Sequence, residues 1–202
     1  MANDGINEET GTMAGKLIIF SAPSGSGKTT LVRYLLKSLK GLRFSVSATS
    51  RPPREKEVHG KDYYFLDRES FCEKIEQGAF LEWEEVYPGQ YYGTLRSEVD
   101  RLMEEGYHVL FDIDVEGGLN LKRYYAERAL AVFVQPPSLE VMEERLRARG
   151  TDDEEQLKKR LKKAGKEMEY ATQFDRVLVN DNLDQAKREA RSVVRRFIES
   201  DP

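Results

Sequence analysis

A loop of small and polar residues, "SAPSGSGKTT" at positions 21–30, directly follows the apolar run "KLIIF". Gly25 and Gly27 can adopt backbone angles closed to other residues, so successive N–H groups can turn towards one ligand. Lys28 adds a cation, and the hydroxyl of Thr29 is a ligand suited to Mg²⁺. We therefore predict that this loop holds the phosphates of a nucleoside triphosphate.

The pattern Ala22-x4-Gly27-Lys28-Thr29 matches the phosphate-binding loop, except that Ala22 stands where the pattern has its first glycine. The alternative is an ordinary glycine turn between a strand and a helix. A chance match in a chain of this length is on the order of one in a hundred. The strand predicted before the loop and the helix predicted after it favour phosphate binding, because a helix N-terminus attracts anions.

A second polar segment, "SVSATSRPPREKEVHGKDYYF", carries Ser47, Arg51, Arg54 and Tyr63. Two arginines three residues apart, with two prolines between them, suggest a stiff clamp for a second anion. A solvated loop with incidental arginines is the alternative, and the spacing does not decide between the two.

The segment "EWEEVYPGQYYGT" adds Glu82, Tyr92 and Thr94. A carboxylate beside hydroxyl groups suits the edge of a guanine base, which offers N–H donors and one carbonyl acceptor. The tyrosines could equally be half-buried aromatic residues with a hydrated tip.

The elements that would position these residues follow a strand–helix alternation. Apolar runs predict buried strands over residues 17–20, 109–113, 130–134 and 177–179. Apolar spacing predicts a helix from Thr29 to Leu39 and a last helix over residues 183–198, with Asp181 or Asn182 as its N-cap. The fold class is therefore α/β, with a parallel sheet core flanked by helices.

Two segments depart from this alternation: residues 47–99 are rich in Arg, Tyr, Gly and Glu, and residues 140–168 are dense in charge. We interpret them as inserts on the core. The predicted organisation is a flexible tail over 1–15, a core over 16–46, 100–138 and 167–202, an insert over 47–99, and a second insert over 139–166.

Composition excludes several other classes of protein. The 202 residues include one cysteine and two histidines, so neither an internal disulfide nor a structural zinc site is expected. A net charge of −4 argues against a general nucleic-acid binder. No apolar run is long enough to span a bilayer, and residues 1–15 lack the features of a targeting peptide, so we expect a cytoplasmic protein without membrane contact.

The loop alone does not separate a GTPase, an ATPase motor and a small-molecule kinase. The stretch "DIDVEG" contains Asp114-x-x-Gly117, which a GTPase could use as a switch motif. However, no Asn-Lys-x-Asp sequence is present to read guanine in the GTPase manner.

Six motifs in this order, "SAPSGSGKTT", "SVSATSRPPR…EVHGKDYYF", "YYGT", "DIDVEG", "RARGT" and "VLVNDN", resemble the guanylate kinase family of the bacterial type. The resemblance runs from Lys16 to the end of the chain. It implies a P-loop core, a small mixed α+β GMP-binding insert, and a helical lid. The implied reaction transfers the γ-phosphoryl group of ATP to GMP, giving ADP and GDP, as in purine nucleotide metabolism.

The resemblance also implies roles for individual residues. The implied ATP-binding residues are Ala22, Pro23, Ser24, Gly25, Ser26, Gly27, Lys28, Thr29, Thr30, Arg145 and Asn180. The implied GMP-binding residues are Ser47, Arg51, Arg54, Tyr63, Glu82, Tyr92, Thr94 and Asp114. The implied catalytic residues are Lys28, Arg51, Arg149 and Arg160.

The resemblance further implies Mg²⁺ as the cofactor that accompanies ATP, with Thr29 as a ligand. Asp112, at the end of a predicted strand, is expected beside the ion, although it could instead cap a helix. The expected partners are ATP and GMP, with dGMP as a further acceptor. The oligomeric state is left open, with a homo-oligomer among the alternatives. Two departures from the family pattern are Lys56 for glycine, which removes no implied ligand, and Glu116 where a glutamine is common.

Two further readings remain open from the residues alone. A non-catalytic module of this type would bind partner peptides, but it would be expected to lack the loop lysine or the arginines. A kinase for another nucleoside monophosphate would keep the fold and replace the residues that read guanine.

Overall fold

The computed structural model of the protein describes residues 15–150 and 153–200. The predicted tail, apart from Gly15, therefore lies outside the described residues. Within them the strands are β1 (Leu17–Ser21), β2 (Leu42–Phe44), β3 (Ala48–Thr49), β4 (Tyr64–Phe65), β5 (Phe80–Tyr87), β6 (Gln90–Leu95), β7 (His108–Ile113), β8 (Ala129–Gln135) and β9 (Arg176–Val179). The α-helices are α1 (Lys28–Ser38), α2 (Arg68–Glu76), α3 (Arg96–Glu104), α4 (Val115–Tyr125), α5 (Leu139–Arg149), α6 (Glu154–Glu169) and α7 (Leu183–Glu199).

The described chain divides into two compact units. The first comprises Arg43–Val109 together with Gly15, and the second comprises Lys16–Leu42 together with residues 110–200. The first unit contains the whole segment predicted as an insert, 47–99. The second unit contains the glycine-rich loop and the segment predicted as the other insert, 139–166.

A five-stranded sheet in the order β2-β7-β1-β8-β9 forms the core of the second unit, and the unit boundary falls within β2 and β7. β1 pairs with β8 and β8 with β9, both in parallel. Every residue of β1 is buried, as are six of the seven residues of β8. The prediction of a parallel sheet flanked by helices is confirmed, and β1 and β8 are buried as predicted. The prediction of a buried strand over 177–179 is wrong for two of its three residues: β9 lies at the sheet edge, so Val177 and Val179 are exposed and only Leu178 is buried.

The helices of the second unit bury their apolar faces as the sequence spacing predicts. Leu31 and Leu35 of α1 and Val194 of α7 share one core cluster with Phe20 of β1. Asn182 is the N-cap of α7, because its side-chain oxygen accepts hydrogen bonds from the backbone N–H groups of Asp184 and Gln185. These contacts fix the position of the helix that starts at the loop.

The charged segment 139–166 has a small core of its own. Met142 and Leu146 of α5 pack against Leu157 and Ala164 of α6, and all four are buried. The cluster is not evident from the sequence, because its four apolar residues are scattered among many charged ones. The cluster joins the two helices into one helical pair.

The first unit is built on a four-stranded sheet in the order β4-β3-β6-β5. β6 is antiparallel to both β3 and β5, whereas β3 and β4 are parallel. Phe71 of α2 stacks on Phe80 of β5 with ring centroids 4.4 Å apart, and both rings are buried. Three of the predicted acceptor-binding residues, Glu82, Tyr92 and Thr94, lie in strands of this sheet. The others of this unit, Ser47, Arg51, Arg54 and Tyr63, lie in the segments that flank β3 and β4.

In the part of the chain that the structure describes, no helix is both long enough and apolar enough to cross a membrane.

Candidate functional site

The glycine-rich loop joins the end of β1 to the start of α1. Gly25 and Gly27 have φ angles of 91° and 88°, in the left-handed region that favours glycine. The backbone N–H and the hydroxyl of Ser26 both donate to the carbonyl oxygen of Pro23, at 3.2 and 2.7 Å, and close the turn. Because Gly27 is the N-cap of α1, no side chain covers the first N–H groups of the helix there.

The loop forms one wall of a cavity of about 580 Å³. Its lining residues are Ala22, Pro23, Ser24, Gly25, Ser26, Gly27, Lys28, Thr29, Thr30, Asp112, Ile113, Asp114 and Arg145. Ten of these thirteen are among the residues predicted to bind ATP, which places them around one space of suitable size for a polyphosphate group.

Lys28, Thr29 and Asp112 meet at this cavity. The ammonium group of Lys28 lies 2.6 Å from Oδ1 of Asp112 and also donates to the carbonyl oxygen of Ile113 at 2.6 Å. The hydroxyl of Thr29 donates to Oδ2 of Asp112 at 2.8 Å. The neighbouring helices α1 and α4 have Gly27 and Asp114 as their N-caps, and the carboxylate of Asp112 lies beside the two groups predicted to meet phosphates and Mg²⁺.

Asn180 holds the loop through its side-chain amide. The residue is 4% exposed, and its Nδ2 donates to the carbonyl oxygen of Ser26 at 2.7 Å. A Cβ atom on Gly27 would lie 2.3 Å from that Nδ2 atom, so only glycine fits. The contact of Asn180 with ATP, predicted from the family resemblance, stays a prediction, because its described hydrogen bonds go to the protein.

Asp114 begins α4. Its Oδ1 accepts a hydrogen bond from the backbone N–H of Gly117 at 2.9 Å, and its carbonyl oxygen accepts one from the hydroxyl of Ser21. The carboxylate thus acts as an N-cap at the cavity edge. The predicted assistance of Asp114 in reading guanine also stays a prediction.

Two of the predicted arginines of the helical pair contact the loop or its support. Nη1 of Arg160 donates to the hydroxyl of Ser24 at 2.9 Å. Nη2 of Arg145 donates to the carbonyl oxygen of Asn180 at 3.0 Å. The side chain of Arg149 lies outside the described residues.

Glu167 on α6 is a residue that the sequence analysis missed. Burial raises the pKa of its carboxyl group, and the charge of Asp114 adds to this rise, whereas Lys163 and Lys28 oppose it. The side chain is 15% exposed and its Oε1 lies 3.7 Å from the ammonium group of Lys163. The sequence gives no signal for it, because Glu167 is one charge among many in its segment.

In the first unit, Arg51 is held on several sides. Its Nη1 and Nη2 donate to the two carboxylate oxygens of Glu57 at 2.6 and 2.7 Å. Its Nε donates to the hydroxyl of Tyr92 at 3.0 Å, and its Nη1 donates to the carbonyl oxygen of Pro52. The guanidinium carbon lies 5.1 Å from the ring centroid of Tyr63. Three predicted ligands, Arg51, Tyr63 and Tyr92, are therefore neighbours.

Glu57, the partner of Arg51, is the second residue that the sequence analysis missed. Hydrogen bonds from the Arg51 side chain, and then from the backbone N–H of Arg54, lower the pKa of this carboxyl group to about 2. The bond from Arg54 measures 2.8 Å. Glu57 begins the motif "EVHGKDYYF", but nothing in that motif assigns the acid to Arg51.

The remaining predicted residues of the first unit lie on or beside its sheet. Glu82 and Thr94 oppose each other on β5 and β6, and the hydroxyl of Thr94 donates to Oε1 of Glu82 at 2.7 Å. Ser47 precedes β3, and its carbonyl oxygen accepts from the backbone N–H of Tyr64. Arg54 is exposed in the loop that follows β3.

Comparisons with known proteins agree on one family. The family model described as guanylate kinase matches residues 14–197. The guanylate kinase of Bacteroides thetaiotaomicron is 56% identical over 186 residues, which are 92% of this chain and 91% of the relative. The guanylate kinase of Porphyromonas gingivalis is 50% identical over 91% of this chain and 98% of the relative.

A solved structure gives the same result. The crystal structure of guanylate kinase from Anaplasma phagocytophilum matches with a TM-score of 0.70 and 29% sequence identity, over 93% of this chain and 88% of that chain. The loop, the sheet around it and these relatives lead to one conclusion: the chain belongs to the guanylate kinase family.

Proposed function

We propose that this protein is an ATP:GMP phosphotransferase, which moves the γ-phosphoryl group of ATP to GMP and releases ADP and GDP. The observation that carries the proposal is the cluster of Lys28, Thr29 and Asp112 at a loop with two left-handed glycines. Family membership supports the choice of a kinase over a GTPase or a motor.

The loop would hold the phosphates of ATP. The N–H groups at the start of α1 and the ammonium group of Lys28 supply the positive charge that a triphosphate requires. Lys28 would leave Asp112 for the β and γ phosphates when ATP binds. The contacts of Arg160 and Arg145 with Ser24 and Asn180 keep two more guanidinium groups close to the same loop.

Mg²⁺ is the proposed cofactor, and the residues present fit it. The hydroxyl of Thr29 and the carboxylate of Asp112 are hard oxygen ligands, which magnesium prefers. Within the described ranges no group of three or more His, Cys, Asp or Glu side chains could hold a metal ion by itself. When bound, the ion would neutralise charge on the triphosphate.

The first unit would bind the acceptor. Glu82 and Thr94 would read the guanine edge together with Ser47. Arg51, Arg54, Tyr63 and Tyr92 would hold the phosphate of GMP, or that of dGMP. The adjacency of Arg51, Tyr63 and Tyr92 supports this assignment. We further propose that residues 47–99 form the GMP-binding insert and residues 139–166 a lid.

The chemistry needs no general base from the protein. The second pKa of a phosphate monoester is about 6, so the attacking oxygen of GMP is already largely ionised at neutral pH. That oxygen would form a bond to the γ-phosphorus as the bond to the leaving oxygen of ADP breaks. The obstacle is the repulsion between two anions, which Lys28, Arg51, Arg149 and Arg160 would offset.

The cytoplasm, where ATP and GMP are found, is the proposed compartment. The proposal holds for a monomer and for a homo-oligomer alike, and neither nucleic acid nor a membrane takes part in the reaction.

The experiment that tests the proposal measures ADP formation by the purified protein with ATP and Mg²⁺. GMP, AMP, UMP and dTMP are supplied in turn, and one reaction has no acceptor. Turnover with GMP far above that with the other acceptors is the expected result. Turnover mainly with another monophosphate would contradict the roles of Ser47 and Glu82, and equal turnover without an acceptor would indicate an NTPase.

A further inference from the structure

The carboxylate of Glu57 joins the two arginines that are proposed to hold the acceptor phosphate. Its two oxygens accept from Nη1 and Nη2 of Arg51 at 2.6 and 2.7 Å, and Oε2 also accepts from the backbone N–H of Arg54 at 2.8 Å. All three bonds are charge-assisted, and the paired bonds to Arg51 are bidentate, which fixes the plane of the guanidinium group. Glu57 thus closes the stiff turn through Pro52 and Pro53.

This arrangement limits what Arg51 can offer to a ligand. A guanidinium group has five N–H donors. Among the described residues, four of them already have acceptors: two on Glu57, one on Tyr92 and one on Pro52. Arg51 is also only 9% exposed. In this state Arg51 has one N–H group left for a phosphate.

The hydrogen bond from Arg51 also affects the hydroxyl group of Tyr92. The phenolic oxygen of Tyr92 accepts the Nε–H of Arg51 at 3.0 Å, so the hydroxyl proton of Tyr92 must point to a different acceptor. The positive guanidinium group polarises that hydroxyl as a donor. Tyr63, whose ring lies 5.9 Å from that of Tyr92, stands beside it. By holding Arg51, Glu57 therefore also orients the hydroxyl of Tyr92 as a hydrogen-bond donor for the phosphate.

We propose that Glu57 is a positioning residue of the acceptor-phosphate site, which holds Arg51 and the Arg54 backbone so that Arg51, Tyr92 and Arg54 can bind the phosphate of GMP together. The inference rests on the proposed function, because it requires GMP as the acceptor. Glu57 itself does not touch the nucleotide in this account.

An opposite role would follow from the same contacts if Glu57 competed with the phosphate for Arg51. The two roles predict opposite effects of removing the carboxylate. Loss of a positioning group weakens the binding of GMP, whereas loss of a competing anion strengthens it.

The test compares Glu57→Ala, Glu57→Gln and the wild type by calorimetric binding of GMP and of guanosine, which lacks the phosphate. We expect Glu57→Ala to weaken GMP binding at least about tenfold, the effect typical of lost hydrogen bonds between charged groups. Guanosine binding should change by less than about twofold, because the guanine readers are untouched. Glu57→Gln keeps one acceptor oxygen and should recover part of the loss.

The matched control is Glu55→Ala, which removes an exposed acid from the same loop and should leave both affinities unchanged. A thermal melt of each variant checks that it is folded. Steady-state kinetics should show the defect of Glu57→Ala in the KM for GMP while the KM for ATP stays as in the wild type.

A second comparison tests whether Glu57 affects GMP binding through Arg51. In an Arg51→Ala background, the further change Glu57→Ala should add less than about threefold to the loss of GMP affinity, because its partner is already gone. A full additional tenfold loss there would overturn the proposal. So would tighter GMP binding by Glu57→Ala, or an equal loss for GMP and guanosine.

Failure of the proposed function would be recognised separately. If the wild type neither binds nor phosphorylates GMP, both the function and the role of Glu57 are wrong. If the wild type is active with GMP and Glu57→Ala matches it in both affinities, only the role of Glu57 is wrong.

Discussion

The ammonium group of Lys28 and the carboxylate of Asp112 form an ion pair of 2.6 Å at the mouth of the glycine-rich loop. Each side chain is 16% exposed, so the pair is largely shielded from solvent. The pair keeps the ammonium group of Lys28 next to the proposed phosphate site. The carboxylate of Asp112 balances the positive charge of Lys28 when ATP is not bound. The same carboxylate holds the hydroxyl of Thr29.

Replacing Lys28 by alanine should lower kcat by about 10²–10³, the loss typical of removing one charge-stabilising group from a transition state. The fold should persist, because Thr29 still binds Asp112 and the core contacts of α1 are unchanged. Steady-state kinetics and a thermal melt measure the two quantities. Lys37→Ala, an exposed change on the same helix, is the control, and near-normal turnover of Lys28→Ala would contradict the role of Lys28.

Replacing Asp112 by asparagine should raise the concentration of Mg²⁺ needed for half-maximal activity by about 10–100-fold, as for other residues that orient metal ligands. The amide keeps the size of the side chain but removes the charge that attracts the ion. A magnesium titration at saturating ATP measures the effect. Asp100→Asn on the exposed part of α3 should titrate like the wild type, and an unchanged titration of Asp112→Asn would remove Asp112 from the metal site.

Gly27 should not tolerate alanine. The φ angle of 88° alone costs roughly 1–2 kcal/mol for a residue with a Cβ atom. The new Cβ would also displace Nδ2 of Asn180 from Ser26, which costs about 1 kcal/mol more. Denaturant unfolding and ATP binding measure the result.

Gly150→Ala provides the matched control for this change. Gly150 also has a positive φ angle, 64°, but a Cβ atom there would meet nothing within 4 Å. We expect this control to lose only the backbone cost and to keep its affinity for ATP. If both variants lose the same stability and both bind ATP normally, the inference that Asn180 supports the loop is wrong.

Much of the core and of the loop follows from the sequence, because both rest on local patterns. The buried run at β1 and the apolar spacing of α1 and α7 identify those elements to within one or two residues. Gly27 stands where the motif requires a glycine, although Ala22 replaces the first one, and the positive φ angles of Gly25 and Gly27 agree with the predicted mechanism.

The rest depends on contacts between distant segments, which no local pattern reports. The short strands β2 and β3 exist because neighbouring strands pair with them, not because their own residues demand it. Asn180 and Ser26 are 154 residues apart, so their hydrogen bond could not be anticipated. The pairing of Arg51 with Glu57 is nearer in sequence, but a polar loop has no period that would select one acid among its neighbours.

Glu57 should titrate far below an ordinary glutamate. The hydrogen bonds from Arg51 and Arg54 hold its pKa at about 2, against 4.5 for the unperturbed group. Since the folded-state pKa is depressed, the pair stabilises the fold fully above about pH 4.5, and this stabilisation is lost as the pH falls towards 2. A carbon NMR titration of the Glu57 carboxyl group measures the value.

In the variant Arg51→Ala the same carbon signal should titrate at a clearly higher pH, because the main cause of the depression is removed. A wild-type midpoint near 4.5 would show that the ion pair does not persist in solution.

The most direct test of the central claim follows the phosphoryl group itself. The protein is incubated with Mg²⁺, unlabelled GMP and ATP that carries a radioactive γ-phosphate, and the products are separated by chromatography. The account predicts that the label appears in GDP as its β-phosphate, in the same amount as the ADP formed. Label recovered as inorganic phosphate, with GMP unchanged, would contradict it.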